Sequence, residues 1–158
     1  MKIKSLFFAL ALICIVQVHA QSYGAPYSSV ECIDVELDGS ITVRVSGHGR
    51  NDIDAAEQAK KNAVYNVIFK GVKVEGSNSA ISRPLILEVN AEEKYQEFTN
   101  IFFADSGEYS KFVSMADRRW FTSKSKKSKK GKTWTTTVRV LRPELQKYLK
   151  ERNIIKTK

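Results

Sequence analysis

Apolar and polar residues alternate in two neighbouring stretches, first Ile33, Val35 and Leu37 set between Asp34 and Glu36, then Ile41, Val43 and Val45 set between Thr42 and Arg44. A period of two marks strands buried on one face. Asp38-Gly39 suggests a two-residue hairpin turn, but that register opposes Val35 to Thr42 and mixes the faces. Pairing Leu37 with Ile41, Val35 with Val43 and Ile33 with Val45 keeps one face apolar, which predicts a three-residue loop over Asp38–Ser40.

After Gly47-His48-Gly49 the spacing changes to three and four. Asn51 or Asp52 is placed to cap a helix, Asp54 and Glu57 sit near its positive end, and Gly71 closes it. Its predicted inner face, Ala56, Ala59, Ala63, Val64, Val67 and Ile68, starts small and ends bulky, which suits close approach to the preceding hairpin. A polar loop is expected over 76–82 and a strand over 85–89. Asn90 and Glu93 then occupy the N-cap and N3 positions of a capping box, opening a helix with Tyr95, Phe98 and Phe102 as its apolar stripe and Ser106-Gly107 beyond its end. That stripe reads as core packing, with a greasy groove for a ligand or partner segment as the alternative.

Residues 118–124 and 132–141 read as a second hairpin rich in threonine, tryptophan and valine. Pro143 suits the first turn of a last helix in which Leu145, Tyr148 and Leu149 share a face. The order β-β-α-β-α-β-β-α predicts an α+β domain, an antiparallel sheet from two hairpins with two or three helices packed on one face.

The N-terminal stretch has another character. Lys2 and Lys4 precede an apolar run from Leu6 to Val18, and Val18-His19-Ala20 supplies small residues at the peptidase positions, so residues 1–20 read as a signal peptide cleaved before Gln21. The run is short of the roughly 20 residues that span a bilayer, so no transmembrane anchor is expected in the mature chain. Cys14 follows Ile13 inside the apolar run and does not form a lipobox. Residues 21–29, with Gly24 and Pro26, read as an irregular arm, and residues 30–158 as a single α+β domain. The expected location is periplasmic, envelope-associated or extracellular.

Charge sharpens the picture. The 158 residues carry a formal net charge of +9. Residues 118–158 hold fifteen basic residues against Glu144 and Glu151, whereas residues 21–117 hold nine basic against fifteen acidic. Such segregation suits an acidic protein partner, an anionic envelope surface or head-to-tail self-association. The candidate contact residues are Lys124, Lys126, Lys127, Lys129, Lys130 and Lys132, with Trp120 and Trp134 flanking them. A lysine-serine loop of this kind reads as a solvated hairpin tip that protects strand edges, with an anionic or protein surface as the alternative. Nucleic acid also selects basic loops beside aromatics, but is not expected to meet an exported protein.

The sequence offers little to catalysis. In the G-x-G-x-x-G pattern begun by Gly47 and Gly49, Asp52 stands at the third glycine position, where its carboxylate opposes a pyrophosphate. These glycines are expected instead to give a strand exit with unusual backbone angles. Gly131-Lys132-Thr133 resembles the end of a phosphate-binding loop, but Lys126 replaces the earlier glycine and a strand follows. Beyond residue 20, His48 and Cys32 are the only histidine and cysteine. A histidine-based nucleophile or a zinc site therefore lacks partners. Cys32 is either buried as a small hydrophobe or free to pair between chains. Asp34 with Glu36, and Glu92 with Glu93, read as solvent faces rather than a glycosidase pair. No catalytic residue, metal or cofactor is expected.

The run from Val43 through Gly47-His48-Gly49 into the helix of Ala55, Ala59 and Ala63, with Thr137–Leu141 and the helix of Leu145 and Leu149 leading to Ile154 far downstream, resembles a known layout. It is similar to the N-terminal domain of the flagellar assembly protein T and to a related family of small secreted lipoproteins, over about 50 residues of this chain. The lipoproteins' lipobox has no counterpart here. The resemblance implies a non-enzymatic domain in an envelope or surface apparatus, such as a ring component, and supplies no catalytic residues. The expected function is an exported, non-enzymatic structural or interaction subunit of a larger extracytoplasmic assembly. The alternatives are a soluble module that binds an anionic ligand, glycan or membrane surface through the lysine-rich hairpin, and a small hydrolase using acidic side chains.

Overall fold

A computed structural model describes residues 30–74, 81–115, 124–128 and 131–155. The expected signal peptide, the arm over 21–29, residues 118–123 of the second hairpin, and the contact candidates Trp120, Lys129 and Lys130 lie outside the described residues.

The elements are β1 (Glu31–Val35), β2 (Ile41–Gly49), α1 (Asp52–Tyr65) continued by a wider turn over Asn66–Lys70, β3 (Val72–Val74), β4 (Ile81–Ser82), α2 (Ala91–Lys94), α3 (Gln96–Phe102), a tight helical turn over Glu108–Phe112, β5 (Val113–Met115), β6 (Lys124–Ser128), β7 (Gly131–Val140) and α4 (Arg142–Glu151). The described strands form one sheet in the order β4-β3-β1-β2-β7-β5, with β6 also paired to β7. This is the α+β architecture the pattern predicts, helices packing against a sheet that contains both hairpins. To it the structure adds a parallel pairing of β1 with β3, which makes the sheet mixed.

The hairpin register differs from expectation. Val35, not Leu37, opposes Ile41, and Cys32 opposes Val43 after a bulge at Ile33. The loop does hold three residues, but they are Leu37, Asp38 and Gly39. The Gly39 N–H donates to the Glu36 carbonyl and the Glu36 N–H to the Ser40 carbonyl, both at 2.9 Å. Gly39 has φ 80°, so this is a type I turn followed by a left-handed residue, a geometry glycine adopts without strain. Turn geometry outweighs the apolar match here. Leu37 is left fully exposed, and the core face of β1 is held by Cys32 instead.

Packing begins where β2 meets α1. Ile41, Val43, Val45, Val138 and Val140 are each at most 3% exposed, and so are Ala55, Ala59, Ala63 and Val64 of the helix. The helical row is thus Ala55-Ala59-Ala63, with Ala56 turned partly outward. A Cβ on Gly47 would stand 2.0 Å from the Ala55 carbonyl oxygen and 2.3 Å from the Ala59 nitrogen. Gly47 and Gly49 therefore serve close approach of helix to strand rather than a strand exit with unusual angles, and neither has positive φ. Asn51 caps the helix as expected, its Oδ1 accepting from the Asp54 N–H at 2.8 Å. Buried Asn62 donates from Nδ2 to the Ser46 carbonyl at 2.8 Å, beyond the last β1–β2 pair. This satisfies a backbone acceptor on β2.

The expected strand over 85–89 is irregular instead. Leu85 and Ile86 are both buried and donate their N–H groups to the carbonyls of Val67 and Ile68 at 3.0 and 2.9 Å. Two adjacent inward residues suit a segment that stops the open end of a helix, not a pleated strand. The Asn90 capping box is absent too. Asn90 has φ 58° and its side chain makes no cap bond, so the helix starts from a left-handed residue and breaks at Tyr95 into α2 and α3. The aromatic stripe does enter the core. Phe102 packs edge-on to Phe103 with centroids 4.9 Å apart and lies 5.1 Å from Phe98 and 5.7 Å from Tyr148. Leu145 and Leu149 of α4 are fully buried against this cluster. Asn153, at φ 58°, ends α4, and the Ile154 N–H returns to the Leu149 carbonyl at 2.9 Å.

Candidate functional site

Two regions are candidates for function, the lysine-rich hairpin and a cavity beside α1. In the hairpin, the lysine run is paired strand rather than loop. Lys124 opposes Thr135, Lys126 opposes Thr133 and Lys127 opposes Lys132, with only residues 129–130 between the strands. Serines interrupt the lysines of β6, and lysine is a usual composition for an edge strand. β5 and β6 lie along the same side of β7, opposite residues 138–140 and 131–135 respectively.

Trp134 opposes Gly47 across β2 and β7. It therefore shares the face that α1 covers. Its indole Nε1 is buried and has no hydrogen-bond partner among the described residues. On the other face stand Thr42, Arg44, Ser46 and His48 of β2 against Arg139, Thr137, Thr135 and Thr133 of β7. Ser46 and Thr135 hydroxyls are 2.8 Å apart, and His48 Nδ1 is 3.3 Å from Thr133 Oγ1. Arg139 donates to Asp38 at 2.6 Å, and Arg44 lies 3.4 Å from Glu31.

Cys32 is 2% exposed, with its thiol 3.4 Å from the Asp34 carbonyl. Burial pushes its pKa up, which makes it inert. Of the two readings for Cys32, the structure selects the buried small hydrophobe. Among the described residues no three His, Cys, Asp or Glu side chains converge to hold a metal ion. Likewise, no described helix is long and apolar enough to cross a membrane.

The cavity lies where β2 hands over to α1. It measures about 670 Å³ and is lined by His48, Gly49 and Arg50, by α1 residues including Asp54, Glu57 and Lys61, and by the turn from Asp105 to Ser110. Residues 54, 57, 58 and 61 follow helical spacing, so one flank of α1 forms a wall. Tyr109, 2% exposed, donates its hydroxyl to Glu57 Oε2 at 2.9 Å, and Lys60 donates to Glu57 Oε1 at 2.5 Å. Burial pushes the Glu57 carboxyl up, but the hydrogen bonds from Lys60 and Tyr109 and the charges of Lys60 and Lys61 outweigh it and leave the group below its ordinary value. Arg50 lies 3.2 Å from Asp54 at the rim.

Lys61 is the unusual member. Its side chain is only 8% exposed, yet its ammonium meets the fully exposed carboxylate of Asp105 at 2.9 Å and lies 5.5 Å from the centre of the Tyr109 ring. The hydrogen bond and charge of Lys61 hold the Asp105 carboxyl below its usual range. Sequence reasoning missed this grouping because Lys61 falls among lysines that read as a solvated helix flank, and Asp105 is 44 positions away. The only legible hint was the i, i+4 placement of Glu57 and Lys61 on the flank of a helix whose inner face is alanine.

No known protein family, curated protein or solved structure matches the chain.

Proposed function

We propose that the chain is exported by its N-terminal leader and acts, without a reaction of its own, as an interaction subunit of a larger extracytoplasmic assembly. The observation that supports this reading best is the sheet edge. Among the described residues β6 pairs only with β7, and Lys124, Lys126 and Lys127 occupy three of its five positions. An edge of this composition disfavours pairing with a like strand and favours an acidic partner surface. The resemblance to the flagellar assembly protein T domain points the same way, towards a part of an envelope apparatus.

The test is chemical crosslinking of the chain in its native envelope, followed by identification of the linked partner. A defined partner whose yield falls at least tenfold when Lys124, Lys126 and Lys127 are all changed to glutamate supports the reading. A chain that stays monomeric and uncrosslinked overturns it. Salt-sensitive retention on anionic vesicles, lost in the same variant, would instead favour the module that binds an anionic surface.

A further inference from the structure

The cavity beside α1 belongs neither to the lysine edge nor to the core, and its chemistry is specific. Lys61 is a nearly buried ammonium, and a buried cation requires an anion beside it. The carboxylate bonded to it is that of Asp105, which stands wholly in solvent on the turn where Ser106 takes φ 62°, while the Lys61 charge also acts on Glu57 in the wall. A carboxylate so exposed costs little to displace, because water solvates it wherever it swings, whereas Lys61 cannot follow it out. The position Asp105 occupies is therefore one that the carboxylate of a ligand can take over.

The rest of the lining says what such a ligand carries besides its acid. Arg50 adds a donor at the rim, and Ser106, Ser110 and Gln58 add groups that donate and accept. Asp54 and Glu57 add acceptors that match ligand hydroxyls. Tyr109 adds an aromatic ring to the lining, its centre 5.5 Å from the Lys61 ammonium. A volume of about 670 Å³ is far larger than a simple carboxylate needs, and falls within the roughly 300–1,000 Å³ usual for small-molecule sites.

We infer that this cavity binds an acidic sugar, its carboxylate replacing Asp105 on Lys61 and its hydroxyls meeting the polar walls. The inference stands apart from the assembly reading, and either can fail without the other.

Titration of the full mature chain with D-glucuronate, followed by amide NMR, tests it. Glucuronate should shift Gly49, Arg50, Ser106, Tyr109 and Ser110 with saturation in the millimolar range, while glucose at the same concentrations should not. Asp105→Asn, a change on an exposed side chain, should tighten glucuronate at least threefold by removing the charged competitor. Lys61→Met should abolish the shifts. Should Lys61→Met fail to fold, the Asp105→Asn titration decides alone. Equal responses to glucose and glucuronate, an inorganic phosphate response as strong as that to glucuronate, no shift at 50 mM, roughly fifty-fold above a millimolar Kd, or unchanged affinity in Asp105→Asn would each overturn the proposal.

Discussion

The two long sides of β7 are built by opposite rules. On one side it meets β2 over nine consecutive residue pairs, from Ile41–Val140 to Gly49–Lys132, and the face this pair shares is roofed by α1. Valines and alanines fill that space to near-zero exposure. On the other side β7 meets two short strands, and the outer one is mostly lysine. The first side tolerates almost no change of volume, because the glycine of β2 and the alanines of α1 leave no gap to relax into. The second keeps its charged positions at an edge, where composition matters more than fit. Specification of the fold is concentrated on the first side and capacity for contact on the second.

The largest effect should come from breaking the tight side. Gly47→Val places a side chain where a Cβ already stands 2.0 Å from a backbone oxygen. Neither β2 nor α1 can retreat without opening the core, so a loss above about 4 kcal/mol is expected. Urea denaturation reads it directly, and a midpoint unchanged even in Gly47→Ala would contradict the close approach. Next in size is Asn62→Ala. It removes the donor that satisfies the Ser46 carbonyl, at an expected cost of about 1–3 kcal/mol for a buried acceptor left alone. A loss below about 0.5 kcal/mol would mean that water takes over the bond.

How far these regions were legible in the sequence follows the same division. The strand β2, the helix α1 and the closing helix α4 could be read because burial repeats with the period of the element: Ile41-Val43-Val45, Ala55-Ala59-Ala63, Leu145-Leu149. The hairpin register could not, since the alternation continues through Leu37 while the turn demands a left-handed residue at Gly39. Apolar matching and turn chemistry competed, and the turn won. Leu85 and Ile86 were misread for a related reason: their partners are the carbonyls of Val67 and Ile68, which no local pattern announces. The lysine run lies where its charge density suggests a hairpin tip, yet residues 124–128 are strand, because an edge position accepts lysines that a central strand would not. The cavity was invisible, since Lys61, Asp105 and Tyr109 meet only through the tertiary fold.

A smaller effect should appear where α4 is tied to the turn before β5. Tyr148 donates its hydroxyl to Glu108, which Arg152 also reaches at 3.0 Å. Burial first, and the bond to Glu108 second, push the Tyr148 pKa up to about 12. An unfolded tyrosine titrates near pH 10. Between roughly pH 10 and 12 the unfolded state therefore gives up a proton that the folded state retains, and stability falls as pH rises through that window. Below pH 10 the contribution is intact. Tyr148→Phe should lower stability at neutral pH by about 1 kcal/mol, discounted for a partly exposed bond to a charged acceptor, and should flatten the alkaline decline. Equal alkaline slopes in the two proteins would remove Tyr148 from the linkage.

The smallest effect on stability should come from the lysine side, and this sharpens the contrast most. Lys126→Thr changes an edge position opposite Thr133 without altering strand propensity unfavourably. Its effect on the urea midpoint should correspond to no more than about 0.5 kcal/mol in either direction. Self-association should respond far more. Replacing Lys124, Lys126 and Lys127 together by threonine leaves a β-prone edge without charges, which is the usual route to edge-to-edge pairing. The triple variant should sediment as larger species at concentrations where the parent remains as it was, with the monomer's unfolding free energy nearly preserved. If stability fell by several kcal/mol, the lysines would be part of the packed side. If sedimentation stayed unchanged, they would not be guarding the edge.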